Sequence, residues 1–237
     1  MIKFFRKIRQ NLLSEGKTGK YFKYALGEII LVVIGILIAL SINNWNEHRK
    51  DLMQERKLVT QLLEDATVDS TFYKSRQSFL EKQLESYDVL MRYCSTPNLN
   101  NVVDKTIFEE INIPFASVAS ESNIISNKND YSKISNEYIK EAIRNHTINY
   151  SYVSKAIAIH TESILEIRKD MVVKHNLNDT GDELPISTYR SLCINKPDFE
   201  GILRYCKGAT LNTKVQVERF LTSNNQLLKD CKTYLDN

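Results

Sequence analysis

The chain has four histidines and four cysteines, and spacing decides what chemistry they could support. His146 and His160 stand 14 residues apart in a run of helical periodicity. They therefore share a face but are separated by about 21 Å at helical rise, too far for one metal ion. His48 and His175 are isolated near the ends of such runs. No HExxH or CxxC occurs, so nothing meets metal-ligand spacing. His160-Thr161-Glu162 has the H-x-E form of zinc deaminases, but their PCxxC is missing. A GxSxG elbow is absent, and the serines, histidines and aspartates lack a strained turn to present them. Glu109 and Glu110 read as a solvated face. The 12 tyrosines read as core residues with wet hydroxyls more readily than as a ligand pocket. Asn145-His146-Thr147 and Asn149-Tyr150-Ser151 match glycosylation acceptors, relevant only in a eukaryotic secretory route. These residues predict no enzyme, no cofactor and no metal.

The elements that would carry them follow from composition. Among 237 residues there are only 7 Gly and 4 Pro, which argues against turn-rich β-sandwiches and barrels. No GxGxxG or GxxxxGK[ST] is present, so Gly-loop nucleotide folds are excluded too. The net charge of +3 is local in origin. Residues 1–24 hold seven basic side chains, Lys3, Arg6, Lys7, Arg9, Lys17, Lys20 and Lys23, against Glu15 alone. Beyond residue 42 acids slightly outnumber bases. A basic terminus of this kind orients a chain and does not make a nucleic-acid surface.

From Ala25 to Ile42 the sequence ALGEIILVVIGILIALSI carries one charge, Glu28. Its 18 residues approach ~27 Å as a helix, just enough to cross a bilayer core. Tyr21, Phe22 and Tyr24 before it and Trp45 after it are suited to the two interfaces. The Lys/Arg-rich flank predicts a cytoplasmic segment at 1–24, a transmembrane helix at 25–42 and an exported domain at 43–237. The rival is a cleaved signal peptide, with Ala39-Leu40-Ser41 as its cleavage site. Against it, the apolar run reaches that site with no polar region between. Ile2, Phe4, Phe5, Ile8, Leu12 and Leu13 suggest a short interfacial helix at residues 1–13. Glu28 lies about one turn inside the boundary, within reach of headgroups or of Lys20 and Lys23. Gly27, Gly35 and Ala39 form a small-residue face that could seat a second transmembrane helix.

Residues 43–94 hold no Gly or Pro, and Leu52, Val59, Leu62, Ala66, Tyr73, Leu80, Leu84, Tyr87 and Met91 recur at helical steps. Asp69 and Arg76 interrupt the stripe, which suits a bundle helix better than a strict coiled coil. Short helices are predicted at Asp104–Glu110 and Ser120–Ser126. Longer ones are predicted at Asn136–Asn176, with Ile139, Ile143, Tyr150, Val153, Ile157, Ile164 and Ile167 on one face, and at Asp198–Leu235. Gly208 marks a possible kink. The expected fold is all-α: the transmembrane helix continues into an up-down-up bundle of three long helices. Its short helices would sit at the end distal to the membrane, with 177–196 nearer the membrane. In that topology Cys94 meets Cys231, and Cys193 and Cys206 flank the opposite turn. Two disulfides, Cys94–Cys231 and Cys193–Cys206, are therefore candidates in an oxidising compartment, with four buried thiols as the alternative.

The opening MIKFFRKIRQNLLSEGKTGKYFKYALGEIILVVIGILIALSINNWNE resembles an uncharacterised family of single-span proteins from Bacteroidetes-type bacteria. Its marker is a basic FFRKIRQ-like stretch before KYxxYAxGEIxLVVIGILIALxINNWNE. The match is close over residues 1–47 and loose beyond, in SNKNDYSKISNEYIKEAIRNH and PDFEGILRYCK. The resemblance implies an inner-membrane protein with a periplasmic helical domain and carries over no functional residue. It also favours the anchor and speaks against eukaryotic glycosylation. The functional expectation is a non-enzymatic interaction or scaffold protein, held in the lipid bilayer and binding a protein partner or itself, without nucleic acid. The alternative is a ligand-sensing bundle that signals through a partner membrane protein.

Overall fold

The computed structural model describes residues 18–95, 115–175, 186–195 and 198–236. Six α-helices occur among them, and no strand: α1 Thr18–Cys94, α2 Asn123–Ser126, α3 Lys128–Tyr131, α4 Glu137–His175, α5 Ile186–Asn195 and α6 Phe199–Asp236. The predicted interfacial helix, Lys3, Arg6, Lys7, Arg9, Lys17 and the predicted helix at Asp104–Glu110 lie outside the described residues. The chain divides into two compact units, Met1–Glu55 and Arg56–Asn237.

In the first unit, the apolar part of α1 is long and apolar enough to cross a membrane, and none of it is buried. Leu26, Ile30, Ile34, Leu37 and Ile38 all point outward. A Cβ added at Gly27 or Gly35 would meet nothing within 4 Å. Just beyond, Asn43 donates to Glu47 at 3.0 Å, and Arg49 lies 5.6 Å above the Trp45 ring. A side chain that is amphipathic in this way suits an interfacial position.

The second unit is a bundle whose core has three layers. One joins Val59, Leu62 and Ala66 of α1 to Ile139 and Ala142 of α4 and to Leu227 and Cys231 of α6. The next joins Tyr73 and Leu80 to Val153 and Ile157 and to Val217 and Phe220. The last joins Tyr87 and Leu90 to Ile164 and Met171 and to Leu203 and Cys206. Numbers rise together along α1 and α4 and fall along α6. So α1 and α4 run parallel and α6 runs against both. The three long helices match expectation, whereas the up-down-up order is corrected to up-up-down.

The reason is the connection between α1 and α4. Parallel neighbours need a long crossover, and residues 95–135 supply it. Phe115 packs in the Tyr87 layer, Val118 in the Tyr73 layer, and Ile124, Tyr131 and Ile134 in the Val59 layer. The segment 115–134 is thus a strap that descends the length of the bundle, taking the place of a fourth helix. The short helices α2 and α3 belong to the Val59 layer and not, as expected, to the bundle end at which Cys94 closes α1. Helix α5, unforeseen as a helix, packs Tyr189 and Leu192 into the Tyr87 layer, again opposite to the expected end of 177–196.

Helix limits follow local chemistry. Asn136 accepts from the Ile139 amide at 3.1 Å, satisfying an otherwise orphaned donor at the start of α4. Helix α6 runs through Gly208 without a break.

The reversed direction of α6 also changes the cysteines. Cys231 belongs to the Val59 layer and Cys94 packs on the Tyr87 layer, so the expected Cys94–Cys231 bridge is excluded. The disulfide is Cys94–Cys193, with Cα atoms 5.0 Å apart. Cys206 and Cys231 are buried free thiols, so the Cys193–Cys206 pairing is corrected as well. Burial pushes both thiols up to about 12, which suppresses the reactive thiolate.

Candidate functional site

An extended strap between helices has backbone groups that no ladder satisfies, and buried groups of this kind need partners. Residues 116–122 have no regular secondary structure, and side chains of α1 and α4 meet them. The Ala116 carbonyl accepts from Gln83 Nε2 at 3.1 Å. The Val118 amide donates to Thr161 Oγ1 at 3.2 Å, and the Thr161 hydroxyl donates to the Val118 carbonyl at 2.7 Å. Ser120 and Ser154 hydroxyls lie 3.2 Å apart. Farther along, the strap docks on two carboxylates one turn apart on α1. Asp69 accepts from Ser122 Oγ at 2.5 Å and from the Asn123 amide at 2.8 Å. Asp65 accepts from Asn127 Nδ2 at 2.7 Å and from the Tyr131 hydroxyl. Burial and the Asp65 carboxylate both hold the Tyr131 phenol well above its ordinary value.

These contacts belong to two polar levels, each touching α1, the strap, α4 and α6. At the first, Gln83, His160 and Thr210 are essentially inaccessible. His160 Nε2 lies 2.9 Å from Thr210 Oγ1. The Thr210 hydroxyl donates to Gln83 Oε1 at 3.3 Å, which leaves its oxygen to accept from the imidazole N–H. Gln83 then donates to Ala116, closing a relay through all four elements. Desolvation lowers the His160 pKa to about 4, so the ring is neutral at physiological pH.

At the second level, Asp69 holds the strap while His146 Nε2 lies 3.4 Å from Asp69 Oδ2. Asn224 Nδ2 donates to the Ala66 carbonyl at 2.7 Å. The His146 ring sits 4.9 Å from Phe220, edge to face, and the Tyr73 ring lies 4.2 Å from the same Phe220, tilted by 45°. The two levels are related by one spacing. Asp69 and Gln83, His146 and His160, and Thr210 and Asn224 are each 14 residues apart, four turns of helix.

Asp69, His146 and Ser122 are the residue types of a serine hydrolase, but the wiring differs. In a triad the base stands between nucleophile and carboxylate. Here the carboxylate stands in the middle, accepting from the serine. Ser122 also caps α2 through the Ile125 amide at 3.3 Å. All three side chains are at most 3% exposed, so a substrate has no access. The arrangement fastens a strap.

The residues singled out from sequence fall in separate places. His146 and His160 occupy the two levels, four turns apart as their spacing requires. His48 is exposed, and the His175 side chain lies outside the described residues. Among the described residues, no group of three or more His, Cys, Asp or Glu could hold a metal ion. Sequence reasoning missed Asp65, Asp69, Gln83, Thr161, Thr210 and Asn224 as a set. The available signals were Asp69 breaking an apolar stripe and the shared 14-residue spacing.

A family described as a family of unknown function (DUF6090) matches residues 28–132. That stretch takes in the apolar part of α1, its bundle part with Asp65, Asp69 and Gln83, and the strap to α3. No curated protein matches the chain, and no solved structure matches it.

Proposed function

We propose that the chain is a single-span membrane protein whose bundle is an interaction or scaffold module rather than an enzyme. The apolar run of α1 is the anchor, and the lysines and arginines before it hold the N-terminus in the cytoplasm. The bundle lies on the other side, periplasmic in an inner-membrane protein of the kind the N-terminal resemblance implies. The Cys94–Cys193 disulfide supports an oxidising compartment.

The observation that carries the interaction reading is the outer face of α4. Ile148, Tyr152 and Ile159 recur at helical spacing and are 46%, 62% and 54% exposed, on the side away from Ile139, Val153, Ile157 and Ile164. Apolar side chains aligned on one helix face are a usual mode of helix recognition, and tyrosine is enriched among interface anchors. Purification from native membranes in mild detergent tests this. A partner chain or a second copy should be retained by the native protein and weakened at least about tenfold by Tyr152→Glu with Ile159→Glu. A monodisperse monomer that retains no partner defeats the reading.

A further inference from the structure

The two polar levels use equivalent positions in different ways. At the Gln83 level the α4 histidine, His160, meets the α6 residue Thr210 directly. Fourteen residues away on each helix, the same pair of positions holds His146 and Asn224. Both side chains have no accessible surface. His146 Nδ1 and Nε2 and Asn224 Oδ1 have no hydrogen-bond partner in the protein. The Asn224 amide nitrogen is committed to Ala66, which fixes its oxygen as the unmatched atom.

Buried polar atoms left unmatched cost a sizeable share of a domain's stability. The donor set says what would match them. Neutral imidazole offers one N–H and one lone pair. Whichever ring nitrogen carries the proton, the other needs a donor, and so does Asn224 Oδ1. An anion cannot serve either. A divalent cation beside Asp69 would leave a net positive charge in the core, since among the described residues no third His, Cys, Asp or Glu joins His146 and Asp69. Water satisfies both demands and brings no charge.

We propose that the Asp69 level is an internal hydration site, in which buried water bridges His146 of α4 to Asn224 of α6. The water completes a relay of the kind that Thr210 makes directly at the other level. It joins α6 to His146, whose Nε2 lies 3.4 Å from the carboxylate that holds the strap.

The test uses the full chain in detergent micelles, uniformly labelled and with histidine-selective 15N labelling. Water-to-imidazole magnetisation transfer at His146 should show a long-lived bound water in the native protein. His146→Phe should remove that water from the Asn224 side-chain amide signals, and Asn224→Leu should remove it from His146. Absence of the transfer in the native protein overturns the proposal, whether or not the variants fold. Transfer that survives Asn224→Leu also overturns it. Metal analysis of the same sample should find no stoichiometric divalent ion, and an ion that a chelator removes together with the His146 signal change overturns it in favour of a metal site.

Discussion

The Gln83 and Asp69 levels are built at the same positions of the same three helices, yet they hold the strap differently. At Gln83 the groups are neutral, and each bond hands on to the next, from His160 through Thr210 and Gln83 to Ala116. At Asp69 a buried carboxylate takes the strap's hydroxyl and amide directly. Each bond of the neutral relay is of ordinary strength, whereas bonds to an ionised acceptor are roughly twice as strong. A buried carboxylate is both a strong acceptor and a costly one, because its removal strands the donors aimed at it. The strap is therefore held most firmly at the level that is also most sensitive to substitution.

Asp69→Ala should give the largest effect. It leaves the Ser122 hydroxyl and the Asn123 amide unmatched at about 1–3 kcal/mol each, so denaturant unfolding should show a loss of about 4 kcal/mol. Hydrogen exchange should rise first in 122–131. A loss below about 1 kcal/mol would put the two levels on equal terms. Opening the Cys94–Cys193 disulfide acts at the Tyr87 end, away from Asp69. Cys94→Ser should cost about 2–4 kcal/mol and leave exchange in 122–131 unchanged. Cys206 and Cys231 should stay inert to alkylation until the bundle unfolds.

Acid acts on the Gln83 level through His160. His160 has a folded pKa lowered to about 4 against about 6.5 when unfolded. Between those values the unfolded chain binds the proton and the folded chain does not. Stability is thus full above pH 6.5 and falls as pH drops towards 4, by about 2 kcal/mol at pH 5. In His160→Gln the slope in this window should flatten, and an unchanged slope would remove His160 as its cause. The smallest effect is expected outside both levels. Lys214 bridges Glu81 at 3.2 Å and Glu218 at 3.0 Å on the surface, and Lys214→Ala should cost no more than about 1 kcal/mol.

Much of the secondary structure was legible because helix formation is local. Asn136 starts α4 as a cap, Cys94 closes α1, and Phe199–Asp236 fills the run expected after Pro197. Helix α5 was missed because a ten-residue segment has too few turns for its apolar spacing to stand out. The site was less legible. Asp69 could be seen as a break in a stripe, but its meaning depends on Ser122 and Asn123, more than 50 residues away. Thr210 and Asn224 look unremarkable on α6 until their distance from each other is set beside that of His146 and His160.

By itself the sequence determined the helical class, the apolar run that can span a membrane, and the faces of the long helices. These depend on hydropathy and on periods of a few residues. Tertiary structure alone decided the direction of packing. Apolar stripes on α1, α4 and α6 would bury equally well in either order, since burial has no direction. Hydrogen bonds do have direction, and only the descending strap gives Asp69, Gln83 and Thr161 their partners. With α6 reversed, Cys94 reaches Cys193 and Cys231 does not, so the disulfide followed from the topology and could not be used to predict it.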